Sequence, residues 1–495
     1  MPSLLCLALL SLIVFQLAGA TNPGVKARIT NKAISYANQI AQAALTKELQ
    51  SLRIGDQSGS EHHFSWSLTN IRNEGVTPPA SKISLDPAHN GLAWSVNNLG
   101  LNLKADWRVK YRKGWVKIST SGSIDASIKG ASMSVSVRLG EDKDGRPSLS
   151  AAACSAHISD VDIHFHGGTA FILNLFRHTL EGKIKDLLQG QICQLVNKEV
   201  NVDAEAQMKK LKITVDIAKK FLLDYRLVSS PTVNSGYLET SHKGEVFWAK
   251  DMKESPMTPQ PIPASADVSK MLYIWLTEYT ANTFAYAAQS NNYLIHNFTA
   301  DDLPAGNRSL LNTTCQTTMC IGKLIPQIGK ACPDAVVAMT VTSKIQPLMN
   351  ITNKQVTLTA KGNIDMYATK ADKNQTYLLT LNMTVSLTLA AKVENERLTG
   401  QIIDNSFKFG VVKSNVGNVS ARGLNIILGI AMESSVIPQL NALGKTGIAL
   451  PVSGDVTFVN TSLEFLSGSL VVATDLTYKG KWTDGHTLKF ESEHH

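Results

Sequence analysis

Residues 103–119, LKADWRVKYRKGWVKIS, concentrate charged and aromatic side chains of the kinds that bind anions. The stretch has a single acid, Asp106. Its basic residues are Lys104, Arg108, Lys110, Arg112, Lys113 and Lys117, and its aromatic residues are Trp107, Tyr111 and Trp115. Guanidinium and ammonium groups form charge-assisted hydrogen bonds to phosphate, and amphipathic aromatic rings suit the boundary between headgroups and acyl chains. The stretch therefore predicts contact with an anionic, phosphate-bearing surface.

The order of these residues predicts a β-hairpin with its cations at the tip. In a strand, successive side chains point to opposite faces, so one face would carry Trp107, Val109 and Tyr111 and the other Arg108, Lys110 and Arg112. Lys113-Gly114 would form the turn, with the aromatic residues beside the cations. Each basic residue near an anionic surface contributes ~1 kcal/mol. The alternative is a solvated basic strand edge that deters aggregation.

Charge and glycosylation sequons are distributed unevenly along the chain. Residues 21–250 hold 29 Lys and Arg against 21 Asp and Glu, whereas residues 251–495 hold 19 of each. The N-x-[ST] sequons of the mature chain all lie in the second part, at Asn297, Asn307, Asn312, Asn350, Asn374, Asn382, Asn418 and Asn460. A glycan would block a flat contact surface. The half suited to an anionic surface is thus predicted to be free of sugar.

Other sites and partners receive less support from the sequence. Nucleic acid is not predicted, because no nucleic-acid-binding module is recognisable in an exported chain. Heparin-like sulfated polysaccharide stays open as an alternative anion. His164 and His166 share a strand face, but two ligands are too few for a zinc site. The sequence has no G-x-S-x-G, Walker A, H-E-x-x-H or G-x-G-x-x-G motif, so we predict neither an enzyme nor a metal site.

The chain begins with a pattern that predicts export. An apolar run ends in Ala18-Gly19-Ala20, typical of a signal peptide over residues 1–20. No later stretch is predicted to span a bilayer, which takes ~20 apolar residues. After residue 20 the cysteines are Cys154, Cys193, Cys315, Cys320 and Cys332. In an exported chain disulfides are expected, and the odd number leaves one thiol free or paired between chains.

Two halves with the same order of elements are predicted on either side of a Pro-rich stretch. Residues 31–52 have helical periodicity, alternating segments predict an antiparallel sheet, and a long helix is predicted at 170–200. The linker is placed at 251–267, around ESPMTPQPIPAS. A helix-like segment at 268–288, further strands and a helix at 423–444 then repeat the order. The domains are therefore 21–250 and 268–495.

Four segments, in the right order over nearly the whole mature chain, resemble one known family. They are NPGVKARITNKAISYANQIAQAALTKELQSLRI, the pair Cys154 and Cys193, MLYIWLTEYTANTFAY after the linker, and LEFLSGSLVVATDLTYK near the end. In this arrangement the chain resembles the family of bactericidal/permeability-increasing protein and lipopolysaccharide-binding protein. No single segment is diagnostic, and their common order makes the resemblance specific.

The resemblance implies a fold and a binding site. The fold would be α+β, an elongated boomerang of two similar barrel-plus-helix domains joined by a central antiparallel sheet. A disulfide would join Cys154 to Cys193, while the pairing of Cys315, Cys320 and Cys332 stays open. The lipopolysaccharide-contacting tip would fall on the basic hairpin, with Lys47 and Arg53 beside it. Each half would hold phospholipid in an apolar pocket, with no other cofactor.

The expected function is therefore that of a secreted innate-immune protein. It would bind lipid A of lipopolysaccharide and permeabilise the outer membrane of Gram-negative bacteria. The alternative is a carrier that transfers phospholipid or neutral lipid between particles, in which the pockets matter more than the basic tip.

Overall fold

The fold is α+β, with two curled antiparallel sheets joined by a central sheet, as the family resemblance implies. The computed structural model describes residues 22–51, 53–61, 63–168, 177, 181–182, 184–186, 189–190, 192–194, 196–217, 219–450 and 455–479. The predicted signal peptide, residues 1–20, lies outside the described residues. Part of the predicted helix at 170–200 does too, although its described members between 181 and 198 are helical.

The first half forms a curled sheet with the path β2-β3-β5-β6-β7, on which β4 pairs with β5 and β8 with β6. Its strands are β1 (Val25–Thr30), β2 (Gln57–Glu61), β3 (Phe64–Thr77), β4 (Ala80–Asp86), β5 (Gly91–Lys113), β6 (Val116–Glu141), β7 (Pro147–His157), β8 (Asp160–His166), β9 (Thr214–Ile217), β10 (Phe221–Asp224), β11 (Leu227–Val233), β12 (Tyr237–His242) and β13 (Glu245–Trp248). Strands β13, β10 and β9 form a separate small sheet. The long strands β5 and β6 reach from the central region to the far end of this half.

The second half repeats the plan with a sheet of order β15-β16-β17-β18-β19-β20. The strands of the second half, in chain order, are β14 (Leu272–Thr277), β15 (Ile295–Phe298), β16 (Val336–Ile351), β17 (Val356–Thr369), β18 (Gln375–Glu394), β19 (Arg397–Ser414), β20 (Ile448–Ala449), β21 (Val456–Leu466) and β22 (Ser469–Tyr478). A buried apolar cluster on its inner side includes Leu311, Ile325, Met366 and Leu381. This burial stabilises the sheet against its helices.

A central sheet of order β11-β12-β1-β14-β22-β21 joins the halves. Its first three strands come from the first half and the others from the second. Strands β1 and β14 meet at the middle, with Ala27 opposite Ile274. Arg28, only 2% exposed, pairs with Glu239 at 2.8 Å and donates to the Asp267 carbonyl at 2.9 Å. The two halves therefore share one hydrogen-bonded sheet.

Helices pack beside the sheets of both halves. Those whose bounds lie within the described residues are α1 (Asn31–Gln50), α2 (Glu205–Lys209), α3 (Glu278–Ser290), α4 (Ile321–Leu324), α5 (Pro326–Ala331), α6 (Ala421–Ala431) and α7 (Ile437–Thr446). Helix α1 is fastened to β4, because the Asn38 amide donates to the Ser81 carbonyl and accepts from the Ile83 amide, each at 3.0 Å. Helix α1 covers residues 31–50 of the predicted range 31–52 and ends at a cap on Ser51.

The sequence expectation of one helix over 268–288 is wrong for its first part. Residues Leu272–Thr277 form strand β14, and α3 begins only at Glu278. The segment LYIWLT is buried on both faces within the central sheet, with Trp275 fully buried. A strand covered on both sides reads as a continuous apolar run, which periodicity alone does not separate from a helix.

The expectation that no stretch after residue 20 is long and apolar enough to span a bilayer is wrong for one helical segment in the second half. Residues 421–446, which comprise α6, a π-turn and α7, meet the length and composition of a membrane-spanning helix. Leu424, Ile427 and Leu428 of α6 are buried in the core of the second half. The Asn441 side chain of α7 also accepts a hydrogen bond from Ile402 of β19 at 2.8 Å. Of the most apolar 18 residues of this segment, however, 28% are buried. Packing inside the protein therefore accounts for only part of the apolar surface, and Ile426, Leu440 and Leu443 are exposed.

The Pro-rich segment predicted as a linker is attached to the rest of the molecule at several points. Lys243 pairs with Glu254 at its start. The Asn22 amide donates to the Pro259 carbonyl at 3.1 Å, and Arg28 reaches Asp267 at its end. Residues 257–268 contain no helix or strand, and all of them are described. The segment is an extended strap along the central sheet.

Candidate functional site: the basic hairpin tip

The basic stretch forms the tip of the hairpin made by β5 and β6. Arg112 lies opposite Lys117, and Lys113 lies opposite Val116. The turn is therefore Gly114-Trp115 and not Lys113-Gly114 as the sequence predicted, because Lys113 still pairs within the strand. Gly114 has a φ of +57°. Two-residue hairpin turns need positive φ, which glycine adopts without a steric penalty. The turn projects the completely exposed Trp115 from the end of the sheet.

The two faces of β5 separate the apolar from the charged side chains. Trp107 and Val109 are buried, whereas Arg108, Lys110 and Arg112 are exposed. The predicted alternation is confirmed. The inner face joins an apolar cluster with Leu68, Ile124 and Ile163, so the orientation of the cations follows from burial of their neighbours.

The aromatic residues of this stretch do not lie together, contrary to the sequence expectation. Trp107 is 2% exposed, donates its indole N–H to the Ser123 carbonyl at 3.1 Å and packs edge-on against Phe165. Tyr111 is half-buried beside Phe64, with 4.8 Å between ring centroids. Of the three, only Trp115 is exposed at the tip. Trp107 is a core residue because the strand register directs it inward.

The cations at the tip have no carboxylate partner among the side chains that the structure describes. Within the described residues, no carboxylate forms an ion pair with Arg108, Lys110, Arg112, Lys113 or Lys117. We call these five residues the tip cations. Because unpaired guanidinium and ammonium groups keep their donors available, the tip cations can form charge-assisted hydrogen bonds to an anion.

Lys104 differs from the tip cations. It lies opposite Asp125 on β6, and its Nζ is 3.8 Å from the Asp125 carboxylate. Asp125 also accepts from His166 at 2.7 Å. The hydrogen bond from His166, opposed by partial desolvation and supported by the charge of Lys104, lowers the pKa of Asp125. Asp125 therefore stays ionised and marks the inner limit of the cationic surface.

The structure sets Lys47 and Arg53 back from the tip. The Asn73 amide, opposite Leu103 on β5, donates to the Leu49 carbonyl at 2.7 Å and thus locates the end of α1. Leu103 precedes Arg112 by roughly 30 Å at about 3.3 Å per residue. Lys47 and Arg53 flank this helix end and are exposed. At this distance, Lys47 and Arg53 do not form one compact cluster with the tip cations.

Two disulfides are present, and one of them matches the pairing implied by the family resemblance. Cys154 on β7 is bonded to Cys193, 39 residues later. Cys315 is bonded to Cys320, while Cys332 is a buried free thiol. Among the described cysteines, the odd count therefore reflects a short disulfide loop between Cys315 and Cys320 and the unpaired Cys332.

Sequon asparagines occupy the surface of the second half. Six are exposed, namely Asn297, Asn350, Asn374, Asn382, Asn418 and Asn460, and Asn307 and Asn312 are half-buried. None lies on the sheet that carries the hairpin tip, because no described residue of that sheet belongs to a sequon.

A set of serines lies next to the tip cations and was not among the predicted site residues. They occur as S-x-S in QSGSE, FSWSL and KISTS. Because alternate residues of a strand share a face, this period-two spacing could have predicted that each pair of serines lies on one face of its strand.

Comparison with known proteins gives the same assignment over both halves. A model described as the LBP / BPI / CETP family, N-terminal domain, matches residues 33–203, and the C-terminal domain model of the same family matches residues 215–478. The bactericidal permeability-increasing protein of Sebastes schlegelii is 30% identical over 479 residues, which cover 96% of this chain and 99% of that protein. The lipopolysaccharide-binding protein of Mus musculus is 27% identical, with 96% and 98% covered.

A solved structure resembles the whole fold. The crystal structure of lipopolysaccharide binding protein aligns with a TM-score of 0.57 and 24% identity, covering 93% of this chain and all of that one. This likeness supports the two barrel-plus-helix halves and the central sheet.

Proposed function

Because this chain belongs to the LBP / BPI / CETP family, we propose that it binds the phosphorylated lipid A portion of lipopolysaccharide through its hairpin tip. The observation that carries the proposal is the set of five exposed tip cations, free of carboxylate partners among the described residues, around the projecting Trp115. The relatives named above include a lipopolysaccharide-binding protein and a bactericidal permeability-increasing protein.

The tip combines two kinds of attraction suited to a glycolipid surface. The tip cations would bind phosphates, each worth ~1 kcal/mol near an anionic surface. Trp115 and the half-exposed Val116 would enter the boundary with the acyl chains. Displacement of the divalent cations that bridge neighbouring glycolipids would then weaken the outer membrane, which is the proposed route to bacterial killing.

Acyl chains and phospholipid would be held on the inner sides of the curled sheets. In the first half, half-buried Trp66, Leu101 and Ile118 border the core, and in the second half Ile402 and Phe407 lie beside Ile437 of α7. Apolar surface with few polar groups is typical of lipid sites. The same surface supports the second candidate, transfer of phospholipid or neutral lipid between particles.

Export and non-enzymatic action belong to the proposal. The signal-peptide pattern of residues 1–20 and the two disulfides suit an oxidising, extracellular environment. The glycosylated second half would face solvent or a host partner while the basic tip contacts bacteria.

The decisive experiment uses the full secreted chain in three assays. Binding of lipopolysaccharide and of lipid A is measured across a salt series, followed by survival of Gram-negative cells and by exchange of labelled phospholipid between vesicles. Binding that weakens as salt rises, with loss of viability, supports the proposal. Phospholipid exchange without binding of either glycolipid would favour the lipid carrier instead.

A further inference from the structure

The outer face of the sheet next to the tip carries ordered rows of serine. Lys110 lies opposite Ser65 on β3 and opposite Ser119 on β6. Residues directly opposite each other in antiparallel strands share a face. The neighbouring row contains Ser67, Arg108 and Ser121, and β2 extends the two rows with Ser60 and Ser58. We call Ser58, Ser60, Ser65, Ser67, Ser119, Ser121, Arg108 and Lys110 the serine face.

The hydroxyl groups of the serine face are available for a ligand. Five of the six serines are exposed, and Ser67 is half-buried. None of the six hydroxyls has a hydrogen-bond partner among the described residues. A hydroxyl offers one donor and two acceptor positions. The surface therefore presents six unused donor-acceptor groups around two cations.

The acids of the adjoining rows, Asp106 and Asp125, lie outside the serine face. Asp106 is one row further from the tip and accepts from the Asn70 amide at 2.7 Å. Asp125 lies in the row beyond, held by His166 and Lys104. Within the described side chains, the two rows of the serine face contain no acid. Their net charge is positive, so they attract an anion and not a cation.

We propose that the serine face binds the acidic saccharide portion of the same glycolipid whose phosphates the tip binds, an inference that rests on the proposed function. Sugar hydroxyls donate and accept as serine does. Arg108 and Lys110, the tip cations furthest from the turn, would lie between the lipid A phosphates and the saccharide and could pair with acidic substituents of either. Arg112, Lys113 and Lys117 would contact the phosphates alone. Neighbouring hydroxyls would be about 4.8 Å apart across strands and about 6.8 Å apart along them. Small side chains on this face let a polar chain lie close to the sheet.

The position of the face favours this occupant over an acyl chain. The serine face is continuous with the tip, since Lys110 is two residues from Arg112 on the same strand face. Large exposed apolar residues near it are Trp115 and Val116, at the turn itself. The glycolipid would thus place its acyl end at the turn and its sugar chain back along the strands.

The test compares two variants of the full chain at the same four positions. In the first, Ser65, Ser67, Ser119 and Ser121 are replaced by alanine. In the matched control they are replaced by threonine, which keeps the hydroxyl and favours strands. Thermal unfolding and circular dichroism of both establish that the sheet is intact. Affinity is measured at fixed physiological salt for lipopolysaccharide with a complete core and for lipid A alone.

The alanine variant is expected to lose affinity for core-bearing lipopolysaccharide by about tenfold, since each lost hydrogen bond has a modest net value. Its affinity for lipid A should change by less than about twofold, and the threonine variant should bind both ligands like the wild type. Equal losses for the two ligands, or no loss for the core-bearing form, would overturn the inference.

A third arm separates the bacterial sugar from other acidic saccharides. Heparin is titrated as the probe against the wild type and the alanine variant. If the alanine variant loses affinity for heparin but not for core-bearing lipopolysaccharide, the proposed occupant is wrong. Wild-type protein that binds neither lipopolysaccharide nor lipid A overturns the proposed function, and this inference with it. Wild-type protein that binds lipid A and core-bearing lipopolysaccharide equally well overturns the inference alone.

Discussion

Arg112 and Lys117 lie directly opposite each other across the last pair of the β5–β6 hairpin, with both side chains exposed. Like charges in this position oppose strand pairing. A bound phosphate between them would remove the repulsion. At the tip, the same two residues therefore favour binding of an anion and lower the stability of the unbound hairpin.

Replacing Lys117 with threonine should separate these demands. The free energy of unfolding is expected to rise by about 0.2–1 kcal/mol, because a repulsive cross-strand pair is lost and a good strand former gained. Lipopolysaccharide affinity should fall about fivefold, the equivalent of one cation near an anionic surface. Chemical denaturation and equilibrium binding measure the two quantities.

Lys129→Thr is the matched control on the same strand. Lys129 lies opposite Asp160, so its replacement removes an attractive pair. Stability should fall slightly, and lipopolysaccharide binding should stay unchanged. A Lys117 variant that behaves like the Lys129 variant in both assays would contradict the role given to the tip pair.

Removal of four tip cations should abolish most binding at physiological salt. The variant carries alanine at Arg108, Lys110, Arg112 and Lys113, and its affinity for lipopolysaccharide is expected to drop by about 100-fold or more. Lys104→Ala should cost far less, because Asp125 already compensates Lys104. Isothermal titration across a salt series would show a shallower salt dependence for the fourfold variant. Unchanged affinity would exclude the tip as the binding site.

The two tryptophans of the hairpin should respond in opposite ways to replacement. Trp107→Ala is expected to destabilise the protein by about 3–5 kcal/mol, as for large buried aromatic residues. Trp115→Ala should leave unfolding unchanged, because the side chain makes no buried contact, but should weaken binding to lipid A vesicles. A blue shift of tryptophan fluorescence on vesicle binding should disappear in Trp115→Phe. Its persistence would mean that Trp115 does not enter the lipid.

The long disulfide should contribute more to stability than the short one. Loss of the Cys154–Cys193 bond is expected to cost about 2–4 kcal/mol, since it closes a long loop in the unfolded chain. The control removes Cys315–Cys320, which spans five residues. Both alanine pairs are made with Cys332→Ala to prevent exchange, and denaturant midpoints are compared. Equal losses would show that loop closure does not explain the effect.

Stability should also depend on pH through His242 in the central sheet. Its Nδ1 is 2.8 Å from the Tyr225 carbonyl, and Nε2 is 2.9 Å from the Thr240 hydroxyl. Burial lowers the pKa of His242, although the hydrogen bond to Tyr225 opposes the shift. The folded protein thus binds a proton less readily than the unfolded chain. Stability should fall as pH drops below the ordinary value near 6.5 toward the lower folded pKa.

A His242→Asn variant tests this linkage. Between pH 7.5 and pH 5, its unfolding free energy should decline less than that of the wild type. Parallel curves for the two proteins would show that His242 does not contribute to the pH dependence.

Several features of the site were predictable because they depend on neighbours in sequence. The alternation in residues 103–113 determined which side chains share a face, and Gly114 allowed the tight turn. The sign of the charge and the order of helices and strands likewise depend on local composition and periodicity. The exception was 272–277, where burial on both faces removed the pattern that distinguishes a strand from a helix.

Only the tertiary structure decided which distant segments meet on the outer face. Local sequence does not reveal that Ser65, Lys110 and Ser119 form one row, or that Asp125 compensates Lys104, because register between strands depends on long-range pairing and burial of the inner side chains. The same long-range packing sent Trp107 into the core and set α1, with Lys47, back from the tip. Sequence thus determined the chemical groups and their local faces, and strand register determined which of those groups can act on one ligand.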